Sequence, residues 1–134
     1  MKIKNYRKYY EGFLTQFEWD YMVTIRKNYR TNENVVRNTS NKLINKIDEV
    51  KTAVFVGEVD STDDRNLHIH ILLSTNDKPA VLKKLIKHRS NNRGDNIVIT
   101  DIEKNPEIGS SYVTKQFDMS MRKEKNIIWD IIIK

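Results

Sequence analysis

Cysteine is absent from this chain of 134 residues, and the chain contains no long apolar run. Without cysteine there are no disulfides and no thiolate zinc sites, which fits either a reducing compartment or simple indifference to redox conditions. A membrane-spanning helix needs roughly 20 consecutive apolar residues, and no segment approaches that length. The N-terminal segment MKIKNYRK lacks the apolar stretch of a secretion signal. We therefore expect a cytoplasmic protein that does not bind membranes.

Internal repeats and low-complexity linkers are also missing. At this length we expect one domain spanning 1–134, whose core buries roughly two thirds of the surface of the unfolded chain. Residues 1–16 are basic and aromatic, and we interpret them as a basic arm or a short helix. The formal net charge of +6 favours an anionic partner, nucleic acid first. The alternative is a basic surface that only keeps the protein soluble.

Hydrophobic periodicity predicts eight elements in the order β-α-β-β-α-β-α-β. The first six form a ferredoxin-like split βαβ unit. This is an α+β fold in which an antiparallel sheet of about five strands carries two helices on one face. The predicted strands cover 19–27, 52–59, 66–73, 97–99 and 127–133. The predicted helices cover about 32–49, a segment that starts after Asn76 or Asp77 with Val81, Leu82, Leu85 and Ile86 as its apolar face, and about 106–117.

Two histidines in the third predicted strand form a candidate metal site. His68 and His70 point to the same face of a strand, whereas Ile69 points the other way, into a core. Glu58 ends the preceding strand, which pairs with this one as a hairpin. Its carboxylate can therefore converge with the two imidazoles on a divalent cation. That ligand set suits Mn²⁺, Mg²⁺, Fe²⁺, Co²⁺ or Zn²⁺.

Each of these ligands also has a plainer interpretation. Alternating histidines are often just the polar face of an amphipathic strand, and a glutamate at a strand end is often exposed. Three aspartates in the intervening turn compete with Glu58, but a turn places its side chains less rigidly than a strand does. The remaining histidine, His88, lies late in a predicted helix, and we interpret it as structural. The competing aspartates are Asp60, Asp63 and Asp64.

A tyrosine and a lysine in the last predicted helix form a candidate nucleophile and its assisting cation. Tyr112 and Lys115 are three residues apart and share one helix face. Because the ordinary tyrosine pKa is about 10, a nearby positive charge is needed to favour the phenolate. The alternative is an ordinary amphipathic helix with a half-buried tyrosine and a solvated lysine. Gln116, four residues after the tyrosine, is a further polar candidate.

The order of these motifs resembles that of the HUH endonuclease superfamily, and specifically the replication initiator (Rep) proteins of rolling-circle viruses, phages and plasmids. Residues 21–26, YMVTIR, resemble motif one, a strand that usually carries threonine. His68-Ile69-His70 matches motif two, and Tyr112-Val113-Thr114-Lys115 matches motif three. Glu58, ten residues before the first histidine, resembles the acidic third ligand of small viral Reps. The resemblance spans about residues 19–117.

The resemblance implies an enzyme that nicks and rejoins single-stranded DNA with Mn²⁺ or Mg²⁺ held by Glu58, His68 and His70. Tyr112 would attack the DNA and form a 5′-phosphotyrosine intermediate, and Lys115 would assist it. The DNA would be an origin or a terminal hairpin in a host cell. Because the chain has no Walker pattern, a host helicase or strand-displacing polymerase would have to open the duplex. The single tyrosine of motif three implies a homodimer for a complete cycle.

Other classes share part of this pattern. Small single-tyrosine transposases and relaxases belong to the same superfamily. In the transposases the metal set typically uses a glutamine at the spacing of Gln116, whereas Lys115 and the position of Glu58 favour a Rep. Two histidines and a carboxylate also occur in non-haem iron oxygenases, which do not require the downstream tyrosine and lysine. A ferredoxin-like module that only binds nucleic acid stacks bases on strand aromatics, and here those positions hold histidines and Ile71.

Overall fold

The computed structural model describes residues 18–59, 67–105 and 128–134, which form one antiparallel sheet and two helices. The architecture is α+β, as the periodicity predicts. In chain order the elements are β1 (Tyr21–Arg26), α1 (Glu33–Lys46), β2 (Val50–Val59), β3 (Leu67–Thr75), α2 (Lys78–Asn91), β4 (Asn96–Asp101) and β5 (Trp129–Ile133).

The sheet has the strand order β4-β1-β3-β2-β5, and every neighbouring pair is antiparallel. β3 lies between β1 and β2, and β1 lies between β3 and β4. Each helix therefore connects two strands that have another strand between them, so that two split βαβ units interleave. This topology is compatible with the predicted ferredoxin-like fold, and β5 extends the sheet beyond β2.

Both helices begin where a side chain satisfies one of their first N–H groups. The side chain of Asn32 accepts a hydrogen bond from the backbone three residues on at 3.0 Å, and that of Asp77 does the same at 3.2 Å. The cap of α2 is thus Asp77 rather than Asn76. α1 ends at Lys46, before the predicted end near 49, because Ile47 adopts an extended backbone and is buried in the core.

One face of the sheet, which we call the helix face, packs against both helices. On β3 the odd-numbered residues join this core and the even-numbered residues face the opposite side. Ile69 therefore points into the core, as predicted. Large, fully buried side chains of this core are Phe55, Ile25, Leu43, Ile44, Ile47, Ile69, Ile71, Leu73 and Leu85.

The opposite face, which we call the site face, is apolar over part of its area. Met22, Val54 and Leu72 are neighbours across β1, β3 and β2, and each is at most 5% exposed. Farther along the same strands the site face becomes polar. The polar residues of the site face therefore border buried apolar residues of the same face, and the face is not wholly exposed to solvent.

One residue of the predicted apolar face of α2 lies elsewhere. Val81 and Leu85 are buried against the sheet, and Leu82 is partly buried against the same core, but Ile86 is 42% exposed. Residues four apart lie on one helical row, and the next residue along the chain is rotated by about 100°. The row of Val81 and Leu85 therefore faces the core, and Ile86 falls beyond its edge.

Three predicted segments lie outside the described residues: the basic arm 1–16, the turn with the three competing aspartates, and the helix 106–117. The final strand is described, and it begins at Trp129. Neither of the two described helices combines the length and the apolar character that crossing a membrane requires.

Candidate metal centre

The candidate metal centre consists of Glu58, His68 and His70, and strand register places all three on the site face. His68 and His70 alternate with core residues along β3. In the β2–β3 pairing Glu58 lies directly opposite His68. In the β1–β3 pairing Thr24 lies directly opposite His70. Three adjacent strands therefore bring four polar side chains to one part of the sheet.

His70 is held at both ring nitrogens. Its Nδ1 lies 3.1 Å from the Thr24 hydroxyl oxygen, and its Nε2 contacts the Glu58 carboxylate. The hydroxyl can donate to a neutral ring or accept from a protonated one. In either state the contact fixes the plane of the ring and directs Nε2 at Glu58. Since the His70 side chain is only 1% exposed, the surrounding packing also restricts it.

Glu58 is ionised more readily than an ordinary glutamate in spite of its partial burial. Burial alone would raise the pKa of this carboxyl, but the contact with His70 and the positive charge of nearby groups outweigh that effect. The pKa of Glu58 therefore lies below its usual value. The other groups that lower it are His68 and Arg26. At neutral pH the site contains a carboxylate anion, the form in which glutamate binds cations.

The chemistry of these donors fits a divalent cation. Imidazole nitrogen and carboxylate oxygen are both common metal ligands, and a metal-bound imidazole usually has its other nitrogen hydrogen-bonded. His70 has this arrangement, because Thr24 occupies Nδ1 and leaves Nε2 on the side of Glu58. Within the described ranges, no group of three or more His, Cys, Asp or Glu side chains is clustered as a ready metal site. Glu58 and His70 contact each other directly instead.

A shallow cavity continues from this cluster across β1 to β4. Its volume is about 200 Å³, and it is lined by Thr24, Arg26, Asn96 and Val98. Thr24 thus touches His70 on one side and borders the cavity on the other. Arg26 is exposed at its rim, so a cation is available there to an anionic group that approaches the metal centre.

Thr24 is a site residue whose contact the sequence did not reveal. The alternation in β1 puts Thr24 on the polar side of its strand, and the motif-one resemblance includes it. Its partner His70 lies 46 residues later in the chain. Which residue of β3 it meets depends on the strand register, which alternation within one strand does not specify.

Of the other candidate residues from the sequence, only His88 lies within the described residues. Tyr112, Lys115 and Gln116 lie outside the described residues, as do the aspartates of the turn, so their roles stay predictions. His88 lies near the end of α2, as predicted, and α2 packs on the helix face, away from the candidate metal centre.

Comparison with known proteins gives no match: no protein-family model, no curated protein and no solved structure is similar to this chain.

Proposed function

We propose that this protein nicks and rejoins single-stranded DNA in a metal-dependent reaction, as a replication initiator with an HUH endonuclease fold. The observation that carries the proposal is the cluster of Thr24, His70 and Glu58 on three adjacent strands, with His68 opposite Glu58 on the same face. The strand that resembles motif one and the strand that resembles motif two therefore lie side by side, and Glu58 contacts His70.

In this proposal Glu58, His68 and His70 hold Mn²⁺ or Mg²⁺, which when bound would neutralise charge on the scissile phosphate. Thr24 is a positioning residue, because it fixes the ring of His70 and touches neither metal nor DNA in the proposal. The negative charge of Glu58 offsets part of the charge of the cation. The exposed Arg26, at the rim of the neighbouring cavity, contacts a phosphate of the bound strand.

Tyr112 is the proposed nucleophile. Its phenolic oxygen forms a bond to phosphorus while the bond from phosphorus to the 3′ oxygen breaks. The phenol loses its proton, the departing 3′ oxygen gains one, and the departing strand therefore ends in a free 3′-hydroxyl. Lys115 stabilises the phenolate before attack and again when it leaves during rejoining. One phosphodiester-type bond replaces another, so neither water nor ATP is consumed.

The biological setting is proposed on the same resemblance. The DNA is an origin or a terminal hairpin, and the protein acts in the cytoplasm of a host cell. A host helicase or strand-displacing polymerase opens the duplex, and a second copy of the chain completes the cycle of a single-tyrosine enzyme. A single-tyrosine transposase or relaxase would use the same chemistry on a different DNA target.

A module that only binds nucleic acid is the other class considered, and the central strands do not favour it. Such a module needs aromatic side chains on the exposed face of its central strands. On the site face, β1 presents Met22, Thr24 and Arg26, and the described part of β3 presents histidines and Leu72 before Ser74. Phe55, the aromatic residue of β2, lies in the core of the helix face.

Transfer of a label from DNA to protein tests the proposed reaction. In Mn²⁺, an oligonucleotide labelled at its 3′ end should leave the label covalently attached to the protein, because the attached fragment begins with the 5′-phosphate. A 5′ label should remain on a shorter free strand. Tyr112→Phe should abolish the attachment, whereas Tyr29→Phe, which changes an exposed tyrosine of the described chain, should not. Attachment that persists in Tyr112→Phe would refute the assignment of the nucleophile.

A further inference from the structure

A basic groove runs between α1 and α2, in the helical layer on the other side of the sheet from the candidate metal centre. Its larger cavity has a volume of about 300 Å³ and is lined by Lys27, Lys42, Lys46 and His88, together with small polar side chains. A smaller cavity of about 160 Å³ shares Lys46 and His88 and adds two lysines of α2. We define the basic groove as Lys27, Lys42, Lys46, Lys84, Lys87 and His88.

Acidic partners neutralise only part of this charge. Lys27 pairs with Asp95 at 2.9 Å, and Lys84 pairs with Glu49 at 2.6 Å. The other three lysines, Lys42, Lys46 and Lys87, form no ion pair with any described residue. The groove therefore keeps an excess of positive charge after its internal pairs are counted.

The placement of these lysines carries a small cost to the fold. Lys42 and Lys46 are four residues apart on α1 and both border the larger cavity, so their like charges repel. The groove also affects His88, which is half-buried between the helices. Burial first, and then the charges of Lys46, Lys27 and Lys42 against that of Asp95, hold the pKa of His88 below its usual value. The imidazole of His88 therefore lies in a positive electrostatic potential inside the groove.

We propose that the basic groove binds the phosphodiester backbone of nucleic acid, at a contact separate from the candidate metal centre. Two adjoining cavities with charges on both helices match a chain of phosphates better than one isolated anion. None of the described residues that line them is Phe, Tyr or Trp, and the imidazole of His88 is half-buried between the helices, so we expect contacts from lysine to phosphate rather than base stacking to dominate. Lysine binds phosphate as a point charge, and a contact to phosphate carries no direct information about base sequence. The contact is therefore independent of base sequence, and it does not depend on the proposed nicking reaction.

Two double variants with the same net charge test this assignment. Lys42→Gln/Lys46→Gln removes two charges from the groove, and Lys51→Gln/Lys104→Gln removes two exposed charges that line neither cavity. Both change the formal net charge from +6 to +4. Glutamine and lysine have similar helix propensities, so α1 should persist, as circular dichroism would verify.

Fluorescence anisotropy with a labelled 20-nucleotide oligo-dT, in EDTA so that no cleavage occurs, gives the affinity and its salt dependence. We expect the groove variant to bind about tenfold more weakly and to lose about 1.4 from the slope of log affinity against log salt, since each phosphate contact to a single strand contributes about 0.7. The Lys51/Lys104 control should change the affinity less than about twofold. Equal losses in both variants would overturn the proposal, because they would show a response to net charge alone.

His88 supplies a second readout inside the groove. A phosphate bound there stabilises the imidazolium form, so saturating oligo-dT should raise the pKa of His88 as followed by NMR in the wild-type protein. Inorganic phosphate at the same phosphate concentration should have a much smaller effect. An unchanged His88 titration with oligo-dT, or an equal effect of inorganic phosphate, would contradict a site for nucleic-acid backbone.

Discussion

The two faces of β3 differ in what their side chains contact. Ile69, Ile71 and Leu73 on the helix face pack only into the core that both helices cover. His70, between two of these residues, is as buried as they are, but its ring nitrogens contact Thr24 and Glu58. Burial alone therefore does not distinguish a structural residue from a candidate functional one here. The distinction lies in whether a buried side chain has polar partners from neighbouring strands.

Burial also affects the strength of the polar contacts. Glu58 and His70 lie beside apolar residues of the site face rather than in open solvent, and charges interact more strongly where water is excluded. A cation held there would be attracted to the carboxylate more strongly than at a fully exposed site. The apolar part of the site face thus contributes to the candidate metal centre without supplying a ligand.

Of the three substitutions considered, His70→Ala should cause the largest loss of activity. The proposal makes His70 a metal ligand, so its removal should lower metal-dependent attachment of DNA by more than about a hundredfold. The free energy of unfolding should fall as well, by about 1–3 kcal/mol for the buried polar partners left unsatisfied and further for the cavity that the ring leaves. Label transfer and urea denaturation measure the two effects. A variant that attaches DNA at the wild-type rate would show that His70 is a structural residue.

The neighbouring residue provides the opposite test. Ile71→Ala leaves a cavity in the fully buried core of the helix face, so the free energy of unfolding should fall by about 2–5 kcal/mol. Because the side chain points away from the candidate metal centre, the rate per folded molecule should change little. The same denaturation and label-transfer measurements apply at a temperature where the variant is folded. If activity fell as far as in His70→Ala, the two faces would not be functionally separate.

A smaller effect is expected from Thr24→Val, which keeps the shape of the side chain and removes its hydroxyl. Loss of the contact to Nδ1 should weaken Mn²⁺ binding by about 10- to 100-fold, the usual result of removing an outer partner of a metal ligand. Thr24→Ser retains the hydroxyl and should recover most of the affinity. Calorimetric titration of Mn²⁺ compares the three proteins. Equal affinities for Thr24→Val and wild type would show that Thr24 does not position His70 for metal binding.

Local patterns in the sequence predicted much of the fold. Alternation predicted strands, and polar residues before the apolar periods predicted the helix starts to within a residue or two, where the structure shows Asn32 and Asp77 as the caps. The hairpin between adjacent segments predicted that Glu58 and the two histidines converge on one face, and the structure places Glu58 directly opposite His68. These features depend on residues that are close together in the chain.

Features that depend on distant segments were not predictable in this way. The contact of Thr24 with His70 requires the β1–β3 register, and the exposure of Ile86 depends on how α2 is rotated against the sheet. The basic groove brings lysines of α1 and α2 together only after both helices pack. The joint action of Tyr112 and Lys115 with the sheet remains a prediction from their spacing.

The central claim is that the site face of the sheet is a metal centre built from Glu58, His68 and His70. Electron spin echo envelope modulation of bound Mn²⁺, in tag-free protein, detects imidazole nitrogens directly and requires no DNA cleavage. We predict modulation from two nitrogens in the wild-type protein and in His88→Asn, from one in His68→Ala, and from none in His68→Ala/His70→Ala. Bound Mn²⁺ with no nitrogen modulation in the wild-type protein would contradict the account.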